Sequence, residues 1–156
     1  MDTLDRKIIT ALLADARTPY ARIAEGLGLA TATVHQRVRR LRESGVITGY
    51  TARLDWSQLD LPVAALVSIS VTSRRPLSSV AEYLRQIPWV VACAAVSGQF
   101  DLLVHVRAAS PAHLGEIIED IRKASKGATQ TVLVLSPYFD RSAPVGVGPT
   151  SPVADS

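Results

Sequence analysis

Apolar positions recur at helical spacing through the first third of the chain and largely alternate beyond it. Leu4, Ile8, Ala11 and Leu12 form one stripe, so the spacing predicts a helix over 3–14 with Asp2 or Thr3 as its cap. Thr18 followed by Pro19 reads as a cap and a first helical residue, opening a short helix to about Gly26 with Ile23 and Ala24 inward. "GLGLAT" is a turn. Thr31 is the expected cap of a third helix, on which Val34, Val38 and Leu41 line one side, and which ends near Ser44-Gly45. "VITGYTARLD" then alternates around Gly49, the pattern of a small hairpin.

The pattern changes at "DWSQLDLP", so residues 55–62 are read as a linker between a domain over 1–54 and a second over 63–138. The second opens with a strand, "VAALVSISV" (63–71), then a helical stripe of Leu77, Val80, Ala81 and Leu84. "VVACAAVS" (90–97) and "FDLLVHV" (100–106) are read as strands in the middle of the sheet, joined through Gly98-Gln99. Ser110-Pro111 opens a helix with Leu114, Ile117, Ile118 and Ile121 inward, and "TQTVLVL" (129–135) closes the series. This βαββαβ order predicts a ferredoxin-like sheet with both helices on one face. The last strand carries apolar residues on both faces, and so does "VVACAAVS", which implies that a second copy of the chain covers the open face. The Pro-, Gly- and Ser-rich stretch over 139–156 reads as a disordered tail. The class is α+β.

Charge alters this picture in one place. The net charge is only +3, but residues 30–53 hold Arg37, Arg39, Arg40, Arg42 and Arg53 against Glu43, five bases less one acid, or +4. The rest of the chain sums to −1. No apolar run approaches the length of a membrane span, and the opening "MDTLDRKIIT" is not a signal peptide. A single cysteine, Cys93, indicates a reducing, cytoplasmic setting, and the three histidines show no metal-ligand spacing.

The basic helix sits in a specific frame. Ala24, Gly28 four residues on and Val34 ten on match a helix-turn-helix: a small residue where the helices cross, a glycine at positive φ, and an aliphatic core residue. A charged face is often simply solvated, yet one acid against five bases argues against an idle surface. Thr31, Thr33, His35 and Gln36 offer hydrogen-bonding groups for base edges, and Arg37 can bridge two acceptors on guanine. Arg39, Arg40 and, on the hairpin, Arg53 suit phosphates. The partner implied is double-stranded DNA.

In the second domain, "SGQFDLLV" (97–104) holds Gly98 and an isolated carboxylate, Asp101. Chemistry alone favours a turn with a capping acid; a site for a small zwitterion is the alternative.

Four features together make the chain resemble the Lrp/AsnC (feast/famine) family of prokaryotic transcription regulators: the opening "LDRKIITALLADART", "GLGLATATVHQRVRRLRESGVITGY", "VSGQFDLLVHV" and the two-module order. The resemblance covers residues 2 to about 138. It implies an N-terminal winged helix-turn-helix and a C-terminal effector-binding ferredoxin-like domain. It also implies dimers formed through the sheets and often gathered into octamers, no catalytic activity, no cofactor, and an amino acid or related metabolite as effector. That effector would bind near Gly98, Gln99, Phe100 and Asp101, with Gln130 and Thr131 contributing. Position 30 is alanine where the family often has serine, and Gln99 stands where an acid is common. Two other classes compete: an enzyme resembling sirohaem decarboxylases, through His105 and His113, and a metabolite-binding module without a DNA role.

Overall fold

The computed structural model describes residues 1–72 and 75–138; the predicted tail lies outside them. These residues form two compact units, Met1–Arg53 and Leu54–Tyr138.

The first unit is three helices, α1 (Thr3–Ala14), α2 (Tyr20–Leu27) and α3 (Thr31–Glu43). Asp2 caps α1 in a reciprocal box: its carboxylate accepts from the Asp5 backbone N–H at 2.8 Å, and that of Asp5 accepts from the Asp2 N–H at 3.0 Å. Ile8, Leu12, Ile23, Ala24, Val34 and Val38 make the core, as the stripes require. Two expected caps are absent. Helix α2 begins after Pro19, so Thr18 lies one residue too early, and Thr31 is already inside α3, whose cap position is Ala30 without a side-chain bond. The predicted hairpin is not formed either: no strand occurs over residues 46–55. The Ile47 N–H returns to the Leu41 carbonyl at 3.0 Å, closing the end of α3. A two-stranded ribbon with no third strand to pair is marginal in water, and alternation alone does not hold it.

The second unit contains β1 (Val63–Ser70), α4 (Leu77–Leu84), β2 (Val90–Ala95), β3 (Leu102–Ala108), α5 (Pro111–Ser125) and β4 (Ala128–Leu133). All pairs are antiparallel in the order β2-β3-β1-β4, the predicted split βαβ topology. Strand β2 is thus an edge, not a middle strand, and it is exposed over nearly its whole length. Alternation shows that a strand exists but not its neighbour. Ala65, Val67 and Ile69 of β1 and Leu102, Val104 and Val106 of β3 face the helices and pack against Val80, Leu84, Leu114, Ile117 and Ile121. Ser110 caps α5 by accepting from the His113 N–H. The predicted linker holds a 3-10 turn, Trp56–Leu59, with the Arg107 guanidinium 5.2 Å from the Trp56 ring centre.

The reverse sheet face is open. Cross-strand partners share a face, so Leu66 with Val132, Leu66 with His105, Ser68 with Gln130 and Leu103 with Ala94 lie on it. Val132 is 53% exposed. Between α5 and β4, a Cβ on Gly127 would lie 2.3 Å from the Ser70 carbonyl oxygen, so only glycine fits there without a shift.

Candidate nucleic-acid interface and effector site

The three helix-turn-helix positions fall as their spacing predicts. Ala24 is buried where α2 and α3 cross, Gly28 ends α2 at φ 65°, and Val34 is wholly buried. With Val34, Val38 and Leu41 inward, the opposite face of α3 presents Gln36, Arg39, Arg40 and Glu43 to solvent, with Thr31 exposed at its start. Thr33 is half-buried. Open grooves flank the helix, one of about 600 Å³ lined by Tyr20, His35, Arg39 and Arg42, the other of about 470 Å³ lined by Thr33, Gln36, Arg37 and Arg40.

His35 and Arg37 sit on the flanks rather than on this outer face. The His35 ring meets Tyr20 edge-on, centroids 4.6 Å apart, and Tyr20 in turn is raised in pKa by burial and by a hydrogen bond with Tyr50. Arg37 lies about 60° around the helix from Val34, and its Nη1 donates to Asp2 and, at 2.8 Å, to Asp5. Its side chain is 21% exposed. The guanidinium expected to bridge a guanine is engaged with α1 through Nη1.

The expected charge imbalance is corrected. Asp5, 1% exposed, accepts from Arg37 Nη1 and from Arg40 Nη2, whose nearer contact is 2.9 Å; Arg39 Nε donates to Glu43 at 2.8 Å. Arg37, Arg39 and Arg40 therefore have carboxylate partners, and those of Arg37 and Arg40 lie 32 to 35 residues away in sequence. Asp2 is held at about 2, first by the Asp5 N–H and then by Arg37. Burial pushes the Asp5 carboxyl up, but the Asp2 N–H and Arg37 outweigh it and its pKa is lowered. The same contacts raise the Arg37 pKa.

In the second unit, Gly98 has φ 133°, in the region that favours glycine, within the β2–β3 connection. Nothing lies within 4 Å of a Cβ built on it, so a larger residue there would strain backbone rather than collide. Asp101 Oδ2 accepts from the Val71 N–H at 2.7 Å, and the Asp101 N–H donates to the Ile69 carbonyl at 2.9 Å. The carboxylate thus ties the β2–β3 connection to the end of β1 rather than capping its own turn. Asp101 and Phe100 are half-buried, and Gln99 is exposed. Ile69 pairs with Leu102 on one side and Thr129 on the other, so the loop and the start of β4 share one end of the sheet. The predicted pair on β4 is divided, however. Gln130 stands opposite Ser68 on the open face, whereas Thr131 stands opposite the buried Val67 on the helix side. His105 and His113 are not brought together: the first is on the open face of β3, and the second, on α5, packs edge-on against Trp89 at 4.7 Å and accepts from the Ala109 N–H.

Sequence reasoning missed Asp2 and Asp5 as partners of the basic helix. Their spacing in "MDTLD" signalled a cap, and nothing local signalled the arginines.

Two family models match the chain: an AsnC-type helix-turn-helix domain over residues 1–42 and an Lrp/AsnC ligand binding domain over residues 64–144. The chain is 36% identical to the transcriptional regulator AldR of Mycolicibacterium smegmatis over 138 residues, 86% of this chain and 81% of that protein. It is 29% identical to LrpA of Mycobacterium tuberculosis, over 89% of this chain and 93% of that one. Among solved structures, E. coli AsnC superposes with a TM-score of 0.83 at 28% identity, covering 92% of this chain and 97% of that one. The feast or famine regulatory protein of M. tuberculosis, complexed with L-methionine, superposes with a TM-score of 0.87 at 29% identity, covering 91% and 97%.

Proposed function

The chain belongs to the Lrp/AsnC family of transcriptional regulators, a DNA-binding helix-turn-helix joined to a ligand-binding domain, and from that premise we propose how each unit carries its part. Helix α3 enters the major groove. The observation that carries this is the joint placement of Ala24, Gly28 and Val34, which turns Gln36, Arg39 and Arg40 outward on a rigid helix pair. Gln36, with Thr31, Thr33 and His35, reads base edges. Arg39, Arg40 and Arg53 contact phosphates, and the uncapped amides at the start of α3 favour a phosphate there too. Arg37 takes a scaffolding role through α1.

The second unit binds an amino acid or related small metabolite, which alters DNA affinity or assembly. One relative of similar fold was solved with L-methionine, and the Gly98–Asp101 loop with Gln130 offers donors and acceptors at one end of the sheet. Gln99 brings no charge, so the ligand's side chain is neutral. The open sheet face, with Leu66, Leu103, Ala94 and Val132, associates with a second copy. Selection of operators from random DNA, with and without each amino acid, tests both parts. Enrichment of imperfect palindromes whose recovery changes with one amino acid is expected; no enrichment at all would refute the DNA reading.

A further inference from the structure

Asp5 is the only buried carboxylate in the core of the described residues, and it lies on α1, outside the helix that faces solvent. Its position is fixed twice, by the capping box with Asp2 and by Arg37 Nη1 at 2.8 Å. Both of its oxygens also contact Arg40 Nη2, at 3.1 and 2.9 Å. The Arg40 side chain remains 61% exposed, one turn beyond Gln36 on the outer face of α3. One nitrogen of the guanidinium is thus anchored to a buried carboxylate while most of the side chain stays exposed. A long side chain so anchored loses less freedom when it meets a ligand than one free in water.

We propose that Asp5 is a specificity-determining positioning residue: by holding Arg40 it fixes where a DNA phosphate docks, and so the register in which Gln36 meets the bases. This rests on the DNA-binding reading above. Phosphate contacts set register without reading sequence. Loosening Arg40 therefore lowers affinity for the operator while leaving affinity for unrelated DNA intact. Simple electrostatics predicts otherwise, because neutralising an acid beside DNA raises affinity for every sequence.

The experiment uses the full chain and compares binding to a selected operator and to unrelated duplex at several salt concentrations, reading the ratio of the two affinities. An unfolded fraction reduces both affinities alike and cancels in that ratio. Asp5→Asn is expected to lower the ratio about tenfold, within what a disrupted specific contact removes. Arg40→Ala is expected to lower it similarly, and the double variant no further. Asp2→Asn, which touches Arg37 but not Arg40, is expected to leave it within about twofold. An unchanged ratio in Asp5→Asn, an equal fall in Asp2→Asn, or additive falls in the double variant would each overturn the proposal. If Asp5→Asn does not fold, Arg40→Lys keeps the charge but loses the planar contact, and an unchanged ratio there overturns it as well. Failure of the wild type to select any operator is a different result, and it refutes the DNA reading instead.

Discussion

Replacing Asp5 with alanine removes the one buried carboxylate that joins α1 to α3. The substitution loses a charge-assisted hydrogen bond to Arg37, which is mostly buried and worth about 1.5–3 kcal/mol. It also loses one half of the capping box, about 0.5–1 kcal/mol. The Arg40 contact adds little, because that side chain is largely exposed and rehydrates. Against these stand the relief of burying a carboxylate and the better helix propensity of alanine, together about 1 kcal/mol. The net expectation is a loss of about 2 kcal/mol. Urea unfolding at pH 7 measures it. Trp56 and Trp89 both lie in Leu54–Tyr138, so tryptophan fluorescence follows that unit, while far-UV circular dichroism also registers the three helices of Met1–Arg53. The helical signal should unfold earlier, by about 2 M urea at a slope of about 1 kcal/mol/M, with the fluorescence transition unmoved. The pH dependence follows from the same contacts. Both acids are held below their ordinary values when folded, so their contribution is complete above the unfolded-chain pKa near 3.9 and is lost as pH falls through their lowered folded values, about 2 for Asp2. The wild type should weaken across that window and Asp5→Ala less, by the Asp5 share alone, because Asp2 keeps the N–H of residue 5 and Arg37. A variant within about 0.5 kcal/mol of wild type, weakening equally in acid, would refute this account of the α1–α3 junction.

Gln36→Ala should change which operator bases are preferred, by about 1–3 kcal/mol at the affected position, measured by competition among single-base operator variants. Arg53→Ala should instead weaken all sequences alike and reduce the salt slope by about one. A charge placed on the open sheet face by Val132→Asp should dissociate the proposed oligomer, and light scattering showing unchanged mass would exclude that face as an interface. Gly127→Ala brings a methyl group to 2.3 Å from the Ser70 oxygen and should lower the melting point of the second unit, at a cost of about 1–3 kcal/mol. An effector present at about 100 times its dissociation constant should stabilise the fold by about 2.7 kcal/mol, seen as a raised melting temperature. Gly98→Val should abolish that shift through backbone strain.

Periodicity made the helices and strands legible because each buries one face. The stripes of Val34, Val38 and Leu41, and of Ala65, Val67 and Ile69, are each visible within a few residues of sequence. Ala24, Gly28 and Val34 were legible for the same reason: their roles depend on a fixed local spacing. What depends on distant residues was not. The partners of Arg37 and Arg40 sit on another helix, so a basic run looked unbalanced when it was largely paired. Strand β2 was misplaced because alternation carries no information about neighbours. Gln130 and Thr131 are adjacent in sequence, yet a strand sends them to opposite faces, and only the register against Ser68 and Val67 assigns each side. In Asp101 the chemical signal was ambiguous from the start, since its carboxylate accepts from the Val71 N–H, thirty residues away at the end of β1, and no local pattern points to that partner.

The acid–arginine junction also limits how this regulator can be rewired. Gln36 and Arg39 are exposed, and among the described residues neither hydrogen-bonds to α1, so they can be exchanged singly in search of a new operator. Arg37 and Arg40 cannot, because each is half of a pair whose other half is encoded some thirty residues upstream. Transplanting α3 alone into a related scaffold would carry two cations to a surface without their acids, and inserting a foreign helix here would strand the buried Asp5. The smallest portable unit of specificity is therefore α3 together with the first turn of α1, and drift at position 5 is tied to drift at positions 37 and 40.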